Sequence, residues 1–237
     1  MTATNMLSDP TTVILWSDTL MYGAVDRRVV DFAPKQRVNE GARWALMASG
    51  PRPIYETLDE LTCGSLDQAR QRLPEALREI VAAAGRMKAF RSCPHAGFYF
   101  GGWSDHLGRF ATFAVRSADE SLGPGTRAYK PIECNFFTAP RVFVSGEEIS
   151  FDLETVNRAI ASLGALEFCR RVIQNQRSGL GRAAAENSDG RPAMVGGHCD
   201  CTIVAAEGVR TVTLIEWPDR TGDVQADLRE THSLPFD

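Results

Sequence analysis

The chain has 237 residues, 43% of them hydrophobic and 24% charged, with a formal net charge of −4. That is the composition of a globular protein long enough to bury a core without a disulfide or metal staple. The charges are mixed and form no basic block for a phosphate backbone, so nucleic acid is not an expected partner. No basic region and apolar run of a secretory signal opens the sequence, and its apolar stretches fall far short of the roughly 20 residues a membrane helix needs. A cytoplasmic protein without a membrane partner is expected.

In chain order, the apolar runs 13–16 and 44–48 predict buried strands. Gly50 turns the second run into a helix start, where Pro51 and Pro53 are tolerated in the first turn. Residues 66–87 predict a helix with one apolar stripe, Leu73, Ala76, Leu77, Ile80, Val81 and Ala84, and Gly85 near its end. Residues 97–103 and 110–116 flank a polar, glycine-bearing turn and predict a hairpin. Residues 121–150, broken by Pro124, Pro131 and Pro140, suggest no regular element. Asp152 suits the cap of one helix over about 153–176, followed by a polar loop over 177–192. A second hairpin, 201–206 and 209–217, turns at Glu207-Gly208, and the polar tail from about 218 is expected to be loosely held. With no internal repeat or long linker, one domain spanning 1–237 is expected. Paired strands separated by helical blocks predict antiparallel sheets with helices on their outer faces.

The first fifty residues carry a family resemblance. Thr2, a turn near Ser8-Asp9-Pro10-Thr11, the strand 13–16, Ser17-Asp18-Thr19, Lys35 and Ala48-Ser49-Gly50 follow one another in order. Thr2 to Asp18 is sixteen positions and Asp18 to Lys35 seventeen, whereas Thr11 or Thr12 would leave only seven or six before Asp18. This set resembles the proteasome β subunits and the bacterial two-component proteasome-like peptidase, within the N-terminal-nucleophile (Ntn) hydrolases. The hairpin around Gly101-Gly102-Trp103, the helix from Asp152 and Gly196-Gly197 before a strand extend the likeness in order of elements. The resemblance implies an α+β fold, a four-layer αββα sandwich of two antiparallel sheets. It also implies a threonine protease acting on a peptide or amide, assembled as a homo-oligomer, with any unfoldase partner undefined.

The chemistry explains the residue types. A threonine hydroxyl needs a base, and a threonine at the chain start has its own α-amine for that role. Removal of Met1 would expose Thr2 without autolysis. A lysine ammonium beside the amine lowers its pKa, and Lys35 is the candidate, with Asp18 holding it and balancing its charge. Gly50, at a helix start, can aim its backbone N–H at the oxyanion. Thr2, Asp18, Lys35 and Gly50 are therefore the expected catalytic set, with no cofactor.

Two departures keep a catalytically silent scaffold open as the alternative. Where the family has a glycine-serine-glycine turn this chain has residues 135–140, Asn-Phe-Phe-Thr-Ala-Pro. Where the family has an aspartate and a serine before the paired glycines, Val195 stands, and Asp189 is seven residues before Gly196. A rival signal lies in Cys93-Pro94-His95 and His198-Cys199-Asp200-Cys201, which hold zinc-type ligands at atypical spacing. The six cysteines include no CxxC pair and are expected to be free thiols, with no metal bound.

Overall fold

The computed structural model describes residues 3–23, 28–86, 96–139, 143–144, 147–148, 153–178 and 195–223. The chain begins with strands β1 (Thr4–Ser8), β2 (Thr12–Asp18), β3 (Leu20–Tyr22), β4 (Val29–Phe32), β5 (Gln36–Asn39) and β6 (Trp44–Ser49). Three helices follow, α1 (Pro53–Glu56), α2 (Leu58–Leu61) and α3 (Leu66–Arg86). Strands β7 (Gly97–Ser104), β8 (Arg109–Arg116), β9 (Ile132–Glu133) and β10 (Phe136–Ala139) come next, then the short β11 (Phe143–Val144) and β12 (Glu147–Glu148). Helices α4 (Leu153–Leu163) and α5 (Ala165–Ser178) lead to the closing hairpin of β13 (His198–Ala205) and β14 (Gly208–Glu216). No described helix is long and apolar enough to cross a membrane.

Two five-stranded sheets dominate, in the orders β10-β1-β2-β13-β14 and β5-β6-β7-β8-β9, and their strand pairs are antiparallel. The β1–β2 hairpin is set by Asp9, whose carboxylate accepts the N–H groups of Thr11 at 2.7 Å and Thr12 at 2.9 Å. This is the local bond that makes Asp a turn residue.

The continuous apolar runs arise because both faces of these strands are covered, so the usual alternation disappears. In the first sheet Met6, Val13, Leu15 and Val204 meet Ala45, Met47, Tyr99, Phe110 and Ala114 of the second. The opposite faces carry helices. Leu7, Ile14, Trp16, Cys199 and Cys201 pack under Val156, Phe168, Cys169, Val172 and Ile173 of α4 and α5. Leu46, Ala48, Phe98, Phe100 and Phe113 pack under Leu66, Ala69, Leu73 and Leu77 of α3. The chain is thus a mixed α/β protein built on antiparallel sheets.

Three expectations need correction. The single helix over 153–176 is two, because Gly164 takes φ +80° between them, a conformation other residues rarely adopt. Its N–H closes α4 on the Ile160 carbonyl at 2.8 Å, and its carbonyl accepts the Phe168 N–H of α5 at 3.0 Å. The stretch 121–150 is not wholly irregular, since β10 pairs with β1 from Thr4↔Ala139 to Leu7↔Phe136. Residues 218–223 are not loose: Asp219 forms a buried ion pair with Arg177, and the Asp223 carbonyl accepts the Val29 N–H at 3.0 Å. The cap Asp152, Met87 and residues 179–194 and 224–237 lie outside the described residues.

Candidate active site

Asp18 is the last residue of β2, and Lys35 stands just before β5. A lysine between Pro34 and Gln36 would ordinarily be a solvated surface residue, yet both side chains here are fully buried. The linker to β5 is drawn inward by backbone bonds, Ala33 N–H to the Thr19 carbonyl at 2.9 Å and Ala48 N–H to the Lys35 carbonyl at 3.0 Å. The neighbouring Gln36 amide adds bonds to the Ser17 hydroxyl at 3.0 Å and the Asp200 carbonyl at 2.8 Å.

Lys35 Nζ lies 3.1 Å from Asp18 Oδ1 and donates to the Leu20 carbonyl at 2.7 Å. The same Oδ1 accepts the backbone N–H of Ala3 at 2.9 Å, and Oδ2 accepts that of Gly196 at 3.3 Å. One carboxylate therefore ties together the start of the chain, the Lys35 linker and the segment before β13. Burial pushes the Asp18 carboxyl above its ordinary range, against the Lys35 charge and the hydrogen bonds from Lys35, Gly196 and Ala3. Burial likewise pushes the Lys35 ammonium down, against the pull of Asp18. A fully buried ion pair is weak evidence for stability, and a pair perturbed on both sides by burial is a candidate for a functional role.

Gly50 closes β6 with φ +147°, two residues after Ala48, and α1 begins three residues later with Pro53 at its first position. A Cβ there would come within 2.9 Å of the Ala96 Cβ, so the turn accepts only glycine without adjustment. Asp18 and Lys35 are in direct contact, and Gly50 adjoins the Lys35 linker through Ala48. Thr2 lies outside the described residues, as do Cys93, His95 and Asp189.

The rival cluster divides. Cys199 and Cys201 are buried in the core beside Cys169. His198 is partly exposed, with Nε2 3.2 Å from the Asp200 carboxylate and Nδ1 3.2 Å from the Thr19 hydroxyl. Among the described residues no group of three or more His, Cys, Asp or Glu side chains is placed to hold a metal ion. Burial pushes the Cys134 thiol up to about 12, and holds Cys169 and Cys199 well above the ordinary thiol range. Since the thiolate is the reactive form, iodoacetamide at pH 8 should label exposed Cys63 while leaving these three unmodified in the native protein. Peptide mapping of the alkylated protein checks this, and rapid modification of Cys199 would reopen a cysteine nucleophile.

Two participants had no local sequence signal. Arg177, near the end of α5, and Asp219, past β14, form a two-pronged pair at 2.8 and 2.7 Å around Val195-Gly196-Gly197. Beside it a shallow depression is lined by Phe32, Gly197, His198, Glu216, Trp217 and Asp219.

The fold is proteasome-like. The chain is similar in structure to a Gly-1 mutant of Anbu from Hyphomicrobium sp. strain MC1, with a TM-score of 0.51 over 97% of this chain and 93% of that one. The two are 16% identical in sequence, so the likeness shows the fold alone. No family model matches the sequence, and no curated protein matches it either.

Proposed function

We propose that this chain is an N-terminal-threonine amidohydrolase, a threonine-type peptidase whose nucleophile is Thr2, exposed by loss of Met1. The observation that carries the proposal is the buried Lys35–Asp18 pair, whose carboxylate accepts the N–H of Ala3, the residue directly after Thr2. A cation held at the start of the chain favours the neutral form of a nearby α-amine.

In this mechanism the Thr2 α-amine takes the hydroxyl proton as Oγ1 attacks the amide carbonyl. The C=O π electrons move to oxygen, and a backbone N–H at Gly50 stabilises the oxyanion. The amine then returns its proton to the leaving nitrogen as the C–N bond breaks, leaving an ester on Thr2. Water, deprotonated by the same amine, hydrolyses the ester and restores the hydroxyl. Asp18 keeps Lys35 in place and balances its charge.

The chain is proposed to work as one domain over 1–237, an αββα sandwich, in a cytoplasmic homo-oligomer. The oligomer rests on the family resemblance, and the layer order is supported by helices packed on the outer face of each sheet. Intact mass of the purified protein should show loss of Met1. A threonine-directed electrophile should add once, and peptide mapping should place it on residue 2. Retention of Met1, or an acetylated terminus, would sink the catalytic proposal and leave the fold untouched.

The scaffold reading is favoured by one observation. Val195, where the family carries polar residues, is wholly buried in the apolar core under α5. A scaffold would resist the electrophile despite a free threonine terminus.

A further inference from the structure

Gly196 donates its N–H to Asp18 Oδ2. The carbonyl of the same peptide unit belongs to Val195 and accepts a hydrogen bond from Arg177 Nη1 at 2.9 Å. A trans peptide is planar, and its C=O and N–H point in opposite directions. Fixing the Val195 carbonyl on Arg177 therefore fixes the direction of the Gly196 N–H. The next two peptides are held as well, the Gly196–Gly197 unit by Gly197 N–H donating to Asp219 Oδ2 at 2.7 Å and the Gly197–His198 unit by the Gly197 carbonyl accepting the Trp217 N–H at 2.8 Å.

Arg177 and Asp219 are suited to this task. Their side chains are only 8% and 2% exposed, and the guanidinium grips the carboxylate with both terminal nitrogens. A two-pronged Arg–carboxylate contact fixes orientation as well as distance. The guanidinium also stands 4.9 Å from the centre of the Trp217 ring, which restrains its plane. The approach requires glycine, because a Cβ on Gly196 would lie 2.2 Å from Asp219 Oδ2 and 2.8 Å from Arg177 Nη1. A Cβ on Gly197, at φ +76°, would lie 2.6 Å from both the Phe32 ring and the Thr19 hydroxyl.

We propose that Arg177 and Asp219 are positioning residues that aim the Gly196 amide at Asp18 and so hold the Asp18–Lys35 pair in its working geometry. The kinetic part of this proposal rests on the threonine-hydrolase reading; the structural part does not. Residues 195–196 are the one Val-Gly step in the sequence. Labelling with carbonyl-13C valine and 15N glycine therefore isolates a single amide signal, that of Gly196, in the full-length protein. In Arg177→Met and Asp219→Asn that signal should move, and its exchange protection should fall by at least about tenfold. Asp18→Asn should move the same signal. Arg177→Lys keeps the cation and the apolar stem, so it should fold and shift the signal part-way.

In the active enzyme, kcat should fall by up to about 10²-fold in Arg177→Met with KM little changed, and Arg177→Lys should recover part of the loss. A pair that merely anchored the tail would lower the melting temperature without moving the Gly196 signal or separating kcat from KM. An unmoved signal in folded Arg177→Lys and Asp219→Asn overturns the proposal. Wild-type protein without hydrolytic activity counts against the threonine-hydrolase reading, while the Gly196 signal still decides the clasp.

Discussion

Thr2→Ala should abolish hydrolysis of short peptide amides and labelling by threonine-directed electrophiles, with the chain still folded. Removal of the attacking oxygen takes away the covalent route, and losses on the order of 10⁶-fold in kcat accompany loss of a nucleophile in hydrolases that work as a unit. The fold should hardly notice, because a terminal side chain typically adds few packing contacts and the first strand has its own buried anchors. Ala3 bonds Asp18, and Thr4 to Ser8 are all buried between β2 and β10. Thr2→Ser, which keeps a hydroxyl, should retain activity. Matching denaturation curves for wild type and Thr2→Ala, with hydrolysis in wild type alone, are the expected result. Hydrolysis that survives Thr2→Ala would remove Thr2 from the mechanism and turn attention to His198.

Lys35→Met is the second large change, and it should act on stability and rate together. Removing one member of a buried ion pair typically costs about 3–5 kcal/mol, since the remaining charge has neither water nor a partner. Among the described residues Asp18 would keep only the Ala3 and Gly196 amides. Asp18→Asn/Lys35→Met removes both charges and keeps an acceptor for Ala3, so it should be less destabilised than the two single costs added together. Urea denaturation of the four proteins gives the coupling directly. Additive costs would mean the pair is not coupled.

The rate effect has a definite sign. Without the ammonium, the α-amine is no longer disfavoured as a cation, so its pKa rises. More of the amine is then protonated near neutral pH. Activity lost there should return in part at higher pH, with the rising limb of the pH–rate profile displaced upward. Cys199, raised chiefly by burial and also by the nearby Cys201, Asp18 and Asp200 charges, stays neutral in this range. A limb that stays in place would show that Lys35 does not tune the base.

What could be foreseen in the residues followed their range of interaction. The strands at 13–16 and 44–48, the two hairpins and the 66–86 helix depend on neighbours a few positions apart, and the structure contains them. Asp18 and Lys35 stood out by order and spacing and do meet, although a lysine between proline and glutamine gave no hint of full burial. Gly164 gives no warning in the sequence, because the apolar rhythm continues across it, while its left-handed backbone breaks the helix. Four-residue β10 carries no alternation long enough to register, and it becomes a strand only through β1. Arg177 and Asp219 are 42 positions apart in polar stretches, so no periodicity joins them. The Cys199 to Cys201 segment shows the opposite case, where a chemically suggestive string proved to be half core lining.

The sheet order has a consequence for how the protein comes to exist. Strands β5 to β9 lie within residues 36–133 and pair in sequence order, so the longest closure in their sheet is that of β6 on β7, from Trp44 to Gly102. The other sheet seats β13 against β2, joining Cys199 to Asp18 across most of the chain. At translation rates of roughly 5–20 residues per second, β2 waits on the order of ten seconds or more for its partner to emerge. Such distant closures are the slow ones in folding. Asp18 meanwhile lacks the Gly196 amide, and Arg177 lacks Asp219. The candidate site is therefore the last region to assemble, so a nascent or truncated chain that has not made β13 and β14 would carry the proposed nucleophile without the means to use it.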